Sequence, residues 1–377
     1  MQSMASLLKV KRDDRPLMYT IYFAFFVSGM MSTLIGTLLP FMKEEYQMSY
    51  VLSGAVISAH QIGNFAALLI AGFLPFLIGR KRSTLTLAMG IVIGFLLMTL
   101  TANPILLLIA FAFTGIGRGT FSNITNVVVS EIAENKAASL NLLHATFAVG
   151  AFLAPFVAIL STVVLGVGWR LSAWLLVAFE VLVLILIGRS NLSNEPTPRA
   201  KGSETEFLKS GDFWLNTAIL FFYLCNESSI MGWLVTYFTD SGRLSPALAQ
   251  TTSSALWIFI LAGRLLCAYL ASKMNRNVLL LILGSLQLLF FIMMISVNHI
   301  ALIYLSIFGF GLSMSGTYPT VLSTIDSTLT RSTVAMGTII AVATLGAIMM
   351  PIVVGSVAQV NGIGGGLATI SIALSIL

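Results

Sequence analysis

The sequence predicts an all-α membrane protein of twelve transmembrane helices, the last one short, built as two six-helix pseudo-repeats. Three observations predict it. Of 377 residues, 57% are apolar and only 9% charged, where a soluble domain carries roughly 25% charged residues. A chain so poor in charge cannot cover a water-facing surface. The apolar residues also fall into segments of about 20, the length that crosses a bilayer core. Lys and Arg, finally, collect in alternate connections between those segments.

The segments lie near 17–41, 50–78, 83–101, 104–130, 139–165, 171–188, 213–239, 248–272, 277–297, 299–325, 331–359 and 362–377. The last run has 16 residues, about 24 Å as a helix, and reads as a squat final helix or one cut short. The opening residues through Pro16 are polar and charged, and the apolar run after them is too long for the core of a cleaved signal peptide. Counting the basic loop residues orients the chain. One side holds fifteen: Lys9, Lys11, Arg12, Arg15, Arg80, Lys81, Arg82, Lys136, Arg189, Arg199, Lys201, Lys209, Lys273, Arg276 and Arg331. The other holds three: Lys43, Arg170 and Arg243. Both termini are therefore expected in the cytoplasm, with the chain in a plasma membrane. The net charge of +6 implies no nucleic-acid partner, because its sources are these loops.

The longest polar stretch, 189–212, contains Pro196 and Pro198 and reads as a cytoplasmic linker between halves 1–188 and 213–377. The halves repeat. A shift of 196 residues lays Gly150 on Gly346, Pro155 on Pro351, Gly115 on Gly311, Leu74 on Leu270, Arg80 on Arg276 and Leu85 on Leu281. One offset serves three regions in the right order, as an internal duplication of parallel sense requires.

The segment Gly72-Phe-Leu74-Pro-Phe76-Leu-Ile-Gly79-Arg80-Lys81-Arg82 resembles the loop signature that major facilitator superfamily proteins carry between their second and third helices. Ala268-Tyr-Leu270-Ala-Ser272-Lys273-Met-Asn-Arg276 is a weaker second copy. The resemblance covers essentially the whole chain and implies the major facilitator fold, with Gly72, Gly79, Arg80 and Lys81 as a close-packing glycine pair and a basic latch. Phe76 stands where that signature has aspartate, which puts a charge relay through the latch in doubt. A narrower resemblance, to fucose-permease-like sugar transporters, rests on three patches. These are Asn141 to Pro155 in the fifth helix, Asn226-Glu227-Ser-Ser-Ile-Met-Gly232-Trp233 to Tyr237 in the seventh, and Tyr318-Pro319-Thr320 in the tenth. That branch couples sugar uptake to protons through acids in its first and fourth helices. Here the first helix has no Asp or Glu from Leu17 to Met42, and the fourth has only Glu131, at its cytoplasmic end. The branch's own coupling residues therefore do not carry over.

An ionisable side chain in mid-membrane costs at least ~2.5–3.5 kcal/mol on the insertion scale, so each is a functional candidate. Four occur: Arg118, Glu180, Glu227 and Arg264. Glu227, in a helix that lines the cavity in this superfamily, can contact substrate or carry a proton; the bland alternative is a structural hydrogen-bonding acid. Arg118 can pair with Glu227, hold an anionic group of the substrate, or form a permanent structural pair. Glu180, in a peripheral helix, reads as a neutral structural acid. Arg264 reads as part of the latch.

Amide side chains offer donors and acceptors, as sugar hydroxyls require. Asn226, Asn123, Asn126, Gln61 and Asn64 are therefore candidate substrate contacts, with His60 beside them. Trp233, Trp257 and Tyr318 can stack on a sugar's apolar face, although a tryptophan in such a helix is as readily a packing or interface residue. His144 reads as a packing histidine, and Cys225 and Cys267 as small buried residues. Gly150 with Pro155 and Gly346 with Pro351 would bend the fifth and eleventh helices and act in gating.

No metal-ligand cluster, nucleophile constellation, phosphate loop or nucleotide-binding domain is legible, so neither an enzyme nor an ATP-driven pump is expected, and no cofactor or metal. The absence of a pore-loop signature, with the repeat, favours alternating access over a channel. The expected function is secondary transport of a small polar solute, a sugar or sugar-like compound, by a monomer, with protons as a candidate partner. Export of amphipathic or lipophilic compounds is the alternative within transport. A non-transporting solute receptor on the same fold is the alternative outside it.

Overall fold

The computed structural model describes residues 10–194, 206–271, 273–325 and 333–377. Lys9, Arg199, Lys201, Ser272 and Arg331, and the middle of the expected linker, lie outside them. Helices account for nearly all of the described residues, which contain no strand beyond one isolated bridge, Val10 to Ala133. The helices are α1 (Arg15–Glu45), α2 (Tyr50–Ile78), α3 (Arg80–Leu100), α4 (Pro104–Ile132), α5 (Lys136–Ile159), α6 (Arg170–Arg189), α7 (Gly211–Asp240), α8 (Pro246–Ala271), α9 (Arg276–Ser296), α10 (Ile300–Thr324), α11 (Thr333–Ala368) and α12 (Ile370–Ile376). Among the described residues, eleven helical runs are long and apolar enough to cross a bilayer, the last spanning Ala335–Ile376.

That last run is folded. Gly362 breaks α11 with φ 73° and ψ 169°, a conformation open to glycine and few others. Beyond it, a Cβ on Gly366 would lie 2.5 Å from Val354 O. Twelve residues of straight helix span about 18 Å, so the chain turns back on itself here, where the expected short twelfth segment begins.

Why these segments are helices follows from the solvent the composition implies. In hydrocarbon every backbone N–H and C=O must bond within the protein, and a helix does this inside one segment. The helix starts are marked by capping side chains, each replacing a bond the first turn lacks. Asn103 accepts from the Ile105 and Leu106 amides ahead of α4, with Pro104 at the first helical position. Asn135, Ser210, Asn275 and His299 cap α5, α7, α9 and α10. Asn103 and His299 are separated by the same 196 residues as the sequence repeat.

The helices form two compact units. The first takes in the chain up to Ile35 and from Ala59 through α6; the second takes in Gly36–Ser58 and α7 through α12. The tip of the α1–α2 hairpin thus groups with the later helices by contact, and polar ties explain why. Lys43 Nζ lies 2.9 Å from Asp240 Oδ2 and 4.3 Å from the centre of the Tyr50 ring. Tyr50 OH donates to Asp240 (2.9 Å), and its backbone N–H donates to Gln359 Oε1 (2.9 Å). Gln250 Nε2 donates to Thr37 O at 3.0 Å.

Within each unit, small residues bring helix backbones together, the usual means of association where burial from water gives no driving force. In the first unit a Cβ on Gly115 of α4 would sit 1.9 Å from His60 O of α2. In the second, 196 residues on, a Cβ on Gly311 of α10 would sit 3.3 Å from Leu256 O of α8. One turn along, Gly119 faces Ala67, and at the shifted positions Gly263 faces Ser315. The glycine has changed helices, but the contact recurs.

Gly150 and Gly346 are likewise contact residues, where the sequence suggested bends. A Cβ on Gly150 would lie 2.0 Å from Phe26 O of α1, and one on Gly346 would lie 2.3 Å from Phe221 O of α7. Both helices carry their prolines inside, and α5 continues into a π-helical turn at Leu160–Val164. Substituting Gly150 or Gly346 with leucine therefore does more than stiffen a helix. Overpacking of this kind costs about 1–3 kcal/mol or more, so both variants should unfold at lower temperature in detergent. Gly337→Ala, at a site with open space, should leave the transition in place or raise it.

Candidate functional site

The loop expected to act as a latch is tied within the first unit. Gly79 precedes α3 with φ 81°, and a Cβ there would lie 1.9 Å from Asn194 O, so two constraints require glycine. Arg80 donates through both terminal nitrogens to Glu131 at the end of α4 (2.5 and 3.1 Å). Lys81 Nζ donates to Ser190 O (2.9 Å), and its amide donates to Ser193 O (3.0 Å). Gly72 lies in α2 on the same run. Phe76 and Arg80 border a cavity of about 180 Å³, also lined by Ser83, Thr120 and Asn123.

Deeper in this unit, Arg118 is half-buried on α4, and its Nε donates to Ser32 Oγ of α1 at 2.8 Å. Its glycine neighbours, Gly117 and Gly119, are packing contacts onto α3 and α2. His60 is buried, with Nδ1 2.9 Å from Thr114 Oγ1, and so bridges α2 and α4. Gln61 and Asn64 are half-buried on α2. Asn64 Oδ1 lies 3.0 Å from where a Gly119 Cβ would stand, so this amide fills the space beside Arg118's helix. Asn126 turns its Nδ2 back to Ser122 O of its own helix. Asn123 and Asn126, expected to act together, thus make different contacts.

In the second unit the ionisable residue is Glu227, half-buried midway along α7. Tyr223, one turn earlier on the same face, donates its hydroxyl to Glu227 Oε1 at 3.0 Å. The Tyr318 ring of α10 lies 5.9 Å from that of Tyr223. Arg264 is exposed on α8, close enough to Tyr223 to act on it electrostatically. One carboxylate, two phenols and one guanidinium thus collect on three helices.

Two expected contacts turn out to face elsewhere. Asn226 is 0% exposed, and its Nδ2 donates to Gln287 Oε1 of α9 at 3.3 Å. Gln287 Nε2 in turn donates to Thr317 Oγ1 of α10 at 2.6 Å. Neighbours on a helix point about 100° apart, so Asn226 reaches α9 while Glu227, half-buried, meets Tyr223 of its own helix. Trp233 is also 0% exposed, with Nε1 donating to Pro351 O at 3.2 Å. It offers no free face for stacking and serves to join α7 to α11. Trp257 is half-buried on α8, His144 packs its ring 5.4 Å from Phe25, and Cys225 and Cys267 are free and buried.

Pro351 explains a further contact. Proline has no N–H for the carbonyl four residues back, here Ala347 O, and Ser228 Oγ of α7 donates to that oxygen at 3.1 Å. Sequence reasoning missed Tyr223, Ser32, Ser228, Gln287 and Thr317. The signal for Tyr223 was its four-residue spacing from Glu227; the others are single small polar residues with no pattern. A cavity of about 440 Å³ beside Lys43, Gln47, Thr239 and Asp240 was not foreseen either. Gln287→Leu removes one partner and leaves Asn226 and Thr317 buried without it. An unsatisfied buried group costs about 1–3 kcal/mol, so this variant should lose thermal stability while retaining ligand binding, measured side by side on purified protein.

Residues 21–351 match the family model described as Major Facilitator Superfamily. The yeast (Saccharomyces cerevisiae) protein called Bypass of stop codon protein 6 is 22% identical over 284 residues, which is 67% of this chain and 56% of that protein. This chain thus spans little more than half of that relative's length. The sodium-dependent glucose transporter 1A of Mus musculus is 20% identical over 380 residues, 89% of this chain and 88% of that one. Among solved structures, a mutant of the nucleoside transporter NupG superposes with a TM-score of 0.79 at 14% identity, covering 96% of this chain and 99% of that one. A mutant of the E.coli fucose:proton symporter FucP gives 0.63 at 19% identity, covering 97% of each. At these identities the likeness establishes the fold.

Proposed function

The chain belongs to the Major Facilitator Superfamily, and from that premise we propose that it carries a small polar solute, a sugar or sugar-like compound, across the membrane by alternating access. It is a multi-pass integral membrane transporter, not an enzyme. The observation that carries the finer reading is the Tyr223–Glu227 pair with Tyr318 beside it. Two phenols and a carboxylate supply ring faces for the apolar side of a sugar and acceptors for its hydroxyls. Within the first unit, Arg118 supplies donors, and Gln61 and Asn64 supply both donors and acceptors. Proteins named for transport of glucose, fucose and nucleosides, to which this chain is similar, support a polyhydroxylated substrate.

On this reading Glu227 is also the coupling residue. The phenol that donates to it stabilises the carboxylate, and solute or a proton exchanges for that bond as the carrier turns over. The excess of basic residues on one side supports a plasma-membrane carrier with both termini cytoplasmic, working as a monomer.

Reconstituted into proteoliposomes with the solute it binds, the protein should accumulate that solute when a pH gradient is imposed to drive it. Glu227→Gln should abolish accumulation while sparing solute exchange at equal pH. Tyr223→Phe should raise the solute's KM with a smaller effect on kcat, as loss of a ground-state contact does. Accumulation undiminished in Glu227→Gln removes this residue from coupling.

A further inference from the structure

Glu180 lies midway along α6, in a helix of 20 residues with no other acid, and it is 0% exposed. Neither carboxyl oxygen has a hydrogen-bonding partner from the protein among the described residues. Among the described residues of the first unit, the other mid-helix charge, Arg118, is hydrogen-bonded to Ser32. The helices around Glu180 are held firmly. Arg170 Nε donates to Thr99 O (3.0 Å) at one end of the α3–α6 pair, and Lys81 Nζ donates to Ser190 O (2.9 Å) at the other. Ser172 of α6 is hydrogen-bonded to Ser161 in the π-helical turn after α5. Phe179 meets Phe23 of α1 edge-on, 6.4 Å between ring centres.

Among the described residues, the titratable groups of these elements lie at helix ends or have other surroundings; on α1, Arg15 stands at the start, its Nε buried without a hydrogen bond, and Lys43, Glu44 and Glu45 stand at the far end. Between its ends α3 carries none. On α1, Tyr22 OH donates to Ser139 O, while Tyr19 is exposed. On α5, His144 packs against Phe25 and Lys136 lies at the helix start. Among the described residues, no cation is ion-paired or hydrogen-bonded to Glu180.

An unpaired carboxylate in such a place is very costly, whereas a neutral carboxylic acid costs far less. Even the neutral acid gains nothing here that leucine would not gain more cheaply. A buried acid that its surroundings do not bond gains hydrogen bonds when it reaches water. We propose that Glu180 is a protonatable site of the carrier, distinct from the polar cluster at Glu227, holding its proton in this conformation and releasing it in one where α6 gives it access to water. The step is a simple one: the carboxylate takes up a proton from the aqueous phase, forming the O–H bond, and gives the same proton back.

The proposal rests on the transport reading for its purpose, but its test does not require a substrate. Infrared spectra of the full chain in lipid, carrying 13C-labelled glutamate, report the C=O stretch of protonated glutamic acid across a pH series. Hydrogen–deuterium exchange of peptides covering 170–189 is followed in the same series. The wild type should show a protonated band that is missing in Glu180→Gln, and that fades at alkaline pH as exchange in α6 rises above that of Glu180→Gln. Glu180→Leu should melt at a higher temperature than the wild type. Should Glu180→Gln fail to insert, Glu180→Asp serves, because the unlabelled aspartate moves the band out of the labelled region. A band that persists at every pH with no change in exchange, or no protonated band at any pH, overturns the proposal. A failure of solute transport with these signatures intact would instead overturn the transport reading alone.

Discussion

A polar group inside an apolar slab must find its partner within the protein, and the rest of this structure depends on that constraint. It decides the backbone first, which is why the described chain is nearly all helix. It then decides where helices are joined. The carbonyl that Pro351 leaves without an amide is met by Ser228, and the indole of Trp233 closes on Pro351 itself. Asn226, Gln287 and Thr317 make one continuous chain through three helices. Beyond these ties, the polar groups left for function are the cluster around Glu227, Arg118 with its neighbours, and Glu180.

The two units share their packing but not their polar residues. Gly115 on His60 recurs as Gly311 on Leu256, and the caps at Asn103 and His299 keep the same interval. The positions shifted by 196 from Arg118 and Glu227 are Met314 and Met31, which carry no charge. The serine of the repeat shows the divergence most plainly. Ser228 repairs a proline's missing bond, whereas its counterpart Ser32 holds Arg118. A duplicated scaffold can keep its close helix contacts, because a Cβ there would collide with backbone, while its remaining polar positions are free to specialise.

Much of this was legible in the sequence. The membrane-length helical runs follow from hydropathy and charge, since each reflects a demand of the bilayer on every residue of a span; eleven are found where twelve segments were expected, the last two joined in one folded run. The direction of individual side chains was not legible. A helix apolar on all sides shows no amphipathic stripe, so nothing distinguishes the face of Asn226 from that of Glu227. Trp233 could be read as a stacking platform only because its bond to Pro351 O is invisible in sequence. Gly150 and Gly346 suggested hinges for the same reason: a glycine that loosens a helix and one that admits another backbone look alike until the neighbour is seen. Gly79, Arg80 and Lys81 were singled out by motif, and what the structure adds is their contacts within the first unit, with Asn194, Glu131 and Ser190.

The central claim is that the leftover polar groups bind a polyhydroxylated solute, and binding itself tests it most directly. Thermal unfolding of the detergent-purified protein would be followed with neutral sugars, nucleosides, sugar acids, organic anions and lipophilic cations. A ligand that binds only the folded state stabilises it by about 2.7 kcal/mol at a hundredfold excess over Kd, a readily measured shift. Stabilisation by one or a few sugars or nucleosides is the predicted result. A response confined to lipophilic compounds would contradict it and point to an apolar cargo.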